Sequence, residues 1–262
     1  MFKTEEKPAA LASKEKNTIS VRVMRQKGPD DAPYWDEFEV PYQPNMNVIS
    51  VLMEIRLNPV NSAGKKVTPP SWESGCLECV CGVCSMNING VPRQACVTLV
   101  DHLEQPIELK PFTKFPVIRD LVVDRTRMFE ALKRVKAWVP LDGTYEMGAG
   151  PRISPEKQQD MYAYAQCMTC GCCLEACPQY HEDNAFIGAH AIGQAYLFNE
   201  NPIGAHLKDD RLEELMGPGG VVDCGNAQNC VKVCPKFIPL TDAIAAIGGQ
   251  VTKAAFKKMF RF

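Results

Sequence analysis

The feature that most limits what this chain can fold around is its 13 cysteines, gathered into three short runs. The first run is Cys76, Cys79, Cys81 and Cys84, with Cys96 a little further on. The second is Cys167, Cys170, Cys172, Cys173 and Cys177, followed by Pro178. The third, Cys224, Cys230 and Cys234 before Pro235, repeats the second with Ala227 where its middle cysteine would stand. An odd number of thiols in a chain of 262 residues argues against a disulfide framework, because stapling is a device of small secreted domains. Metal or cluster ligation is the leading explanation.

Spacing sorts the thiols. Cys76-x4-Cys81-x2-Cys84, with Cys96 beyond, fits the plant-type [2Fe-2S] pattern, in which a loop wraps the cluster and a more distant segment supplies the fourth thiolate. Starting the register at Cys79 puts Asn87 at the next required position, and an amide is not a soft ligand. Cys167-x2-Cys170-x2-Cys173-x3-Cys177-Pro matches the bacterial run whose fourth cysteine reaches the other of two clusters. Crossed ligation of that kind places Cys234 with Cys167, Cys170 and Cys173 around a [4Fe-4S] cluster. Cys177, Cys224 and Cys230 remain, and three thiolates lacking a fourth corner predict [3Fe-4S]. Cys79 and Cys172 fall outside the registers, either as small residues packed beside a cluster or as redox sensors. Zinc also accepts tetrahedral thiolates, yet it explains neither the Cys-Pro after each run nor the deleted ligand. His102, His181, His190 and His206 are not placed in the cysteine loops to make a Rieske site, and are expected in ordinary surface or core roles.

The rest of the sequence supplies the scaffold. Ile19, Val21 and Val23 alternate, and the turn cluster from Gly28 to Pro33 separates them from a less regular strand around Phe38 and Val40, which predicts a hairpin. Asn47 reads as an N-cap for a helix carrying Val48, Val51, Leu52 and Ile55, stopped by Pro59. Ser85 to Ile88, the Asn89-Gly90 turn and a returning strand over Ala95 to Val100 predict a second hairpin, with Cys96 on the return. Beyond Asp120 helical spacing takes over, with Met128, Leu132 and Val135 on one face, and Ser154-Pro155 opens a helix running towards Cys167. The expected order is a disordered tail over 1–17, a small mixed sheet clasping one helix over 18–119, and a helical unit over 120–262, with Asp142 to Pro151 a Gly/Pro loop.

Charge and hydropathy narrow the function. Lys and Arg total 29 against 31 Asp and Glu, so no global field draws the chain to nucleic acid. No stretch approaches the roughly 20 apolar residues of a membrane span, and residues 1–17 lack an apolar export core. A chain neither secreted nor spanning a membrane, with reduced thiols, is expected. No nucleotide fingerprint, P-loop or paired catalytic carboxylate stands out, which leaves electron carriage without substrate chemistry of its own.

These motifs together resemble the iron-sulfur subunits of succinate:quinone oxidoreductases, over about residues 18–250. The resemblance rests on PVIRDLVVDR (Pro116 to Arg125), CMTCGCCLEACP (Cys167 to Pro178), FIGAHAIGQA (Phe186 to Ala195) and DCGNAQNCVKVCPKFIPL (Asp223 to Leu240). NVISVLMEIR, NPVN and VKAWVPLDGTYEMGAGPR look like the bacterial form that uses menaquinone and a di-haem cytochrome b anchor. The resemblance implies an α+β chain, a β-grasp plant-type ferredoxin domain followed by an all-α two-cluster ferredoxin domain. It also implies a flavoprotein partner with covalent FAD where succinate and fumarate interconvert, membrane anchor subunits with haem b and quinone, and a place on the cytoplasmic face of the bacterial membrane. Electrons would pass from flavin through [2Fe-2S], [4Fe-4S] and [3Fe-4S] to quinone. Pro178 matches the family's quinone-site proline, but Glu182 and Gly225 stand where ubiquinone-reducing members have Trp and His, which favours menaquinone or a quinone site built by the anchor. A competing resemblance, to iron-sulfur subunits of heterodisulfide-reductase-like or glycolate-oxidase-like complexes, pairs cubane motifs but usually lacks the plant-type domain.

Overall fold

In the computed structural model, residues 18–140 and 151–260 are described. The expected tail over 1–17 and most of the loop expected over Asp142 to Pro151 lie outside them.

Strands β1 (Thr18–Arg25) and β2 (Tyr34–Pro41) pair antiparallel along their whole length, from Thr18 opposite Pro41 to Arg25 opposite Tyr34. The second strand is therefore more regular than its sequence suggests. Ile19, Val21 and Val23 are buried together with Phe38 and Val40, the alternation a one-sided sheet requires. Helix α1 (Val48–Leu57) starts at Asn47, whose Oδ1 accepts from the Ser50 amide at 2.9 Å. It stops before Asn58-Pro59, because the residue ahead of proline is held out of the helical region. Val48, Val51, Leu52 and Ile55 bury one stripe of it.

Strands β3 (Ser85–Ile88) and β4 (Val91–Gln94) form the second hairpin. Here the structure corrects the expected register. The returning strand is Val91–Gln94, and Cys96 sits beyond it in a 3₁₀ turn over Ala95–Val97. Asn89 and Gly90 both have positive φ, 49° and 76°, a two-residue turn after which pairing resumes at once. Pro92 obscures the strand in sequence, but β4 is a sheet edge, where proline's missing N–H costs nothing. Strand β5 (Ile107–Lys110) lies between β1, to which it is parallel, and β3, giving the order β2-β1-β5-β3-β4. Val51, Leu52 and Ile55 pack with Val21, Ile88 and Leu109 in one core.

A short ribbon, β6 (Val117–Arg119) and β7 (Val122–Val123), leads into helix α2 (Thr126–Arg134), which buries Met128 and Ala131, with Val135 buried just beyond it. The helical unit then comprises α3 (Pro155–Ala165), α4 (Cys172–Glu175), α5 (Ala189–Glu200), α6 (Lys208–Met216), α7 (Asn229–Lys232) and α8 (Leu240–Met259). Ser154 caps α3 by accepting from the Lys157 amide at 3.3 Å. Helix α5 packs against α8 and α3 around Ile192, Ala195, Ala243 and Ile247. This second core also takes in Phe112 and Phe115, while Leu121 joins the first. The stretch from Phe112 to Val123 thus contributes to both cores.

Candidate metal centres

The second and third cysteine runs share a backbone as well as a spacing. Thr169 and Gly171 have positive φ in one, Asn226 and Gln228 in the other, each pair flanking the same position: Cys170 in the second run, Ala227 in the third. The short helices α4 and α7 follow directly. Each run curls its sulfurs inward in the same way, and the internal repeat with one thiol missing is therefore structural.

Chain folding crosses the runs. Cys167, Cys170 and Cys173 line one cavity with Cys234 of the third run, partly open to solvent. Cys177, Cys224 and Cys230 line another, with Ala227, Phe186 and Ile244 in its wall. Among the described residues no three His, Cys, Asp or Glu side chains converge as ligands of a single ion would. The thiols of each set thus line a shared space without converging on one point as the ligands of a zinc ion about 2.3 Å away would.

In the first run the loop wraps Cys76, whose Sγ accepts backbone N–H from Glu78, Val80 and Cys81 at 3.3, 3.2 and 3.3 Å. Those bonds bring its thiol down to about 7, since amide donors favour the thiolate. Cys81 Sγ accepts from the Cys76 amide at 3.4 Å. Cys84 and Cys96 neighbour each other on the buried side, where burial pushes Cys84 up to about 12. Burial likewise raises Cys167 to about 11, and Cys173, Cys230 and Cys234 above their ordinary value. Buried thiols raised in this way lose their protons most readily to a bound cation, which suits them to metal or cluster ligation. Cys170 moves the other way, down to about 7, chiefly through a hydrogen bond from the Cys172 thiol.

Several residues that spacing could not reveal complete the surroundings. Arg125 lies between the first two sites, donating to the carbonyls of Val83 and Ser85 at 3.0 and 3.4 Å and lowering Cys170 by its charge. Its buried Nε has no partner among the described residues. Gly82 has a φ of +74°, and a Cβ there would come within 2.9 Å of the Met168 carbonyl and 3.0 Å of Cys170 Cα, so only glycine lets the two cysteine loops touch. Glu175 is buried and accepts from Asn87 Nδ2, Thr113 Oγ1 and the Lys114 amide at 2.8, 2.8 and 3.1 Å, clamping the sheet unit to α4. His190, expected in an ordinary role, lines the cavity of Cys167 and Cys234. Its Nε2 meets the Met128 carbonyl at 3.0 Å, and burial drives its pKa to about 4. A polar residue inside the apolar FIGAHAIGQA segment was the available signal for it. Pro178 and Gly225 line the cavity of Cys177, Cys224 and Cys230, the third site in chain order, whereas Glu182 faces a separate cleft with Lys114, Arg127 and Tyr180.

The 2Fe-2S iron-sulfur cluster binding domain family matches residues 20–130, and the 4Fe-4S dicluster domain family matches residues 163–238. The chain is 56% identical to the succinate dehydrogenase iron-sulfur subunit of Bacillus subtilis over 246 residues, covering 94% of this chain and 97% of that one. It belongs to the succinate dehydrogenase and fumarate reductase iron-sulfur subunits. The fumarate reductase iron-sulfur subunit of Wolinella succinogenes is 31% identical, over 87% of this chain and 94% of its own. A solved chain of the Mycobacterium smegmatis Sdh1 complex in the apo form shares the fold, with a TM-score of 0.78 at 22% identity over 91% of this chain and 97% of that one. As a member of this family the chain is an electron-transfer component of an oxidoreductase complex. No helix among the described residues is long and apolar enough to cross a membrane.

Proposed function

We propose that this subunit carries electrons between a FAD-containing flavoprotein, where succinate and fumarate interconvert, and menaquinone held with a haem b cytochrome anchor at the cytoplasmic face of a bacterial membrane. Cys76, Cys81, Cys84 and Cys96 hold [2Fe-2S]; Cys167, Cys170, Cys173 and Cys234 hold [4Fe-4S]; Cys177, Cys224 and Cys230 hold [3Fe-4S]. When bound, the clusters supply one-electron carriers that link a two-electron flavin to a quinone.

The observation that carries the reading is the third cavity, where three sulfurs share a wall with Ala227 at the position that Cys170 takes in the second run. The protein's own part is to fix the ligands and tune them. Backbone N–H groups stabilise the Cys76 thiolate, and burial around Cys173 limits the water at the second site. Menaquinone is favoured over ubiquinone by Glu182 and Gly225, which stand where ubiquinone-reducing members have Trp and His. Pro178, in the same cavity as Gly225, is the proposed quinone contact on this chain.

The test uses the native membrane complex. A partner carrying covalent FAD should co-purify, and succinate should reduce a menaquinone analogue. Cys230→Ser should abolish the three-iron signal and quinone reduction while reduction of a soluble dye at the flavin survives. Retention of an unaltered three-iron signal in that variant would refute the ligand set.

A further inference from the structure

Cys172 is no cluster ligand in the reading above, yet it is fully buried, and so is Gln94, which reaches it from the sheet unit. Gln94 Nε2 lies 2.6 Å from Ser85 Oγ and 3.8 Å from Cys172 Sγ, while its Oε1 lies 3.4 Å from Cys84 Sγ. The amide's orientation is determined by its neighbours. Ser85 Oγ spends its proton on the Gly82 carbonyl at 2.6 Å, so it can only accept, and the NH₂ end must face it. The carbonyl end therefore points at Cys84. Cys172, receiving an N–H from Gln94, has its own S–H free for the Cys170 sulfur two residues back, to which it hydrogen-bonds. A single carboxamide dipole thus spans the junction, negative end at a proposed ligand of the first cluster, positive end relayed through Cys172 to a proposed ligand of the second.

We propose that Gln94, with Cys172 as its relay, is a positioning residue that lowers the reduction potential of the centre at Cys84 and raises that of the centre at Cys170. The physics is that an added electron is disfavoured beside a carbonyl oxygen and favoured where a thiolate accepts hydrogen bonds. The dipole therefore favours transfer of the electron from the first centre to the second. This rests on the ligand assignment proposed above.

The experiment is potentiometric EPR on the complete complex, with iron content measured for every variant. Gln94→Leu removes the dipole at nearly constant size: the [2Fe-2S] midpoint is expected to rise and the [4Fe-4S] midpoint to fall. Loss of packing alone would not give shifts of opposite sign. Cys172→Ala should lower the [4Fe-4S] midpoint and leave [2Fe-2S] in place, and Cys172→Ser, which keeps a donor, should recover most of the loss. Should Gln94→Leu not assemble, the two Cys172 variants decide alone. Unmoved midpoints, shifts of one sign in Gln94→Leu, or equal behaviour of the alanine and serine variants would overturn the proposal. Loss of the cubane's iron in Cys172→Ala would instead make Cys172 a ligand and overturn the ligand assignment.

Discussion

Arg25 donates from Nε to Asp120 at 3.0 Å, from a terminal nitrogen to Asp36 at 3.1 Å, and to the Thr68 carbonyl at 2.9 Å. All three charged side chains are under 8% exposed. Asp120 also accepts the amides of Gln26 and Ser71 at 3.1 and 2.8 Å, so this guanidinium holds the ribbon between the two cores against the sheet. Arg25→Leu would strand two buried carboxylates, which costs about 3–5 kcal/mol, and a denaturant titration should read a loss of that order. Ala227→Cys makes the complementary test at the third cavity. Its new sulfur would occupy the position that Cys170 takes in the second run, so the three-iron signal should give way at least in part to a second [4Fe-4S], visible by EPR and by extra iron. At this scale the ligands were legible because cluster loops write their thiols within a few residues of one another. Gln94, Arg125 and Glu175 were not, since Gln94 meets Cys172, Arg125 meets Ser85 and Glu175 meets Asn87 across 40 or more residues of chain.

Helix α1 shows how an ordinary element serves a site. Asn47 Oδ1 caps its first turn, and Asn47 Nδ2 donates to the Cys96 carbonyl at 2.9 Å. Asn47→Ala should therefore cost about 1 kcal/mol for the cap and also slacken the turn that presents Cys96. Thermal unfolding and the yield of [2Fe-2S] signal per chain should both fall, whereas Asn47→Asp should restore the cap alone. Both hairpins and the helix starts at Asn47 and Ser154 were readable from alternation, turn residues and caps. The place of Cys96 was misread because Pro92 masks the strand that pairs directly after the Asn89-Gly90 turn. The left-handed Gln228 was equally hidden, a conformation that only its equivalence to Gly171 explains.

Across the whole molecule, the two units meet where the proposed first and second clusters would approach. Gly82 lies against Met168 and Cys170, Gln94 against Cys172, and Glu175 takes donors from Asn87, Thr113 and Lys114. The crossed pairing of Cys234 with the second run and of Cys177 with the third then carries the line of sites through the helical unit. The most direct test is EPR of the anaerobically purified native complex, oxidised and then reduced, together with iron, zinc and acid-labile sulfide analysis. About nine iron atoms per chain are expected from the three ligand sets, with a three-iron signal when oxidised and a [2Fe-2S] signal on reduction. Zinc in place of iron, or two intact cubanes with no three-iron centre, would contradict the assignment.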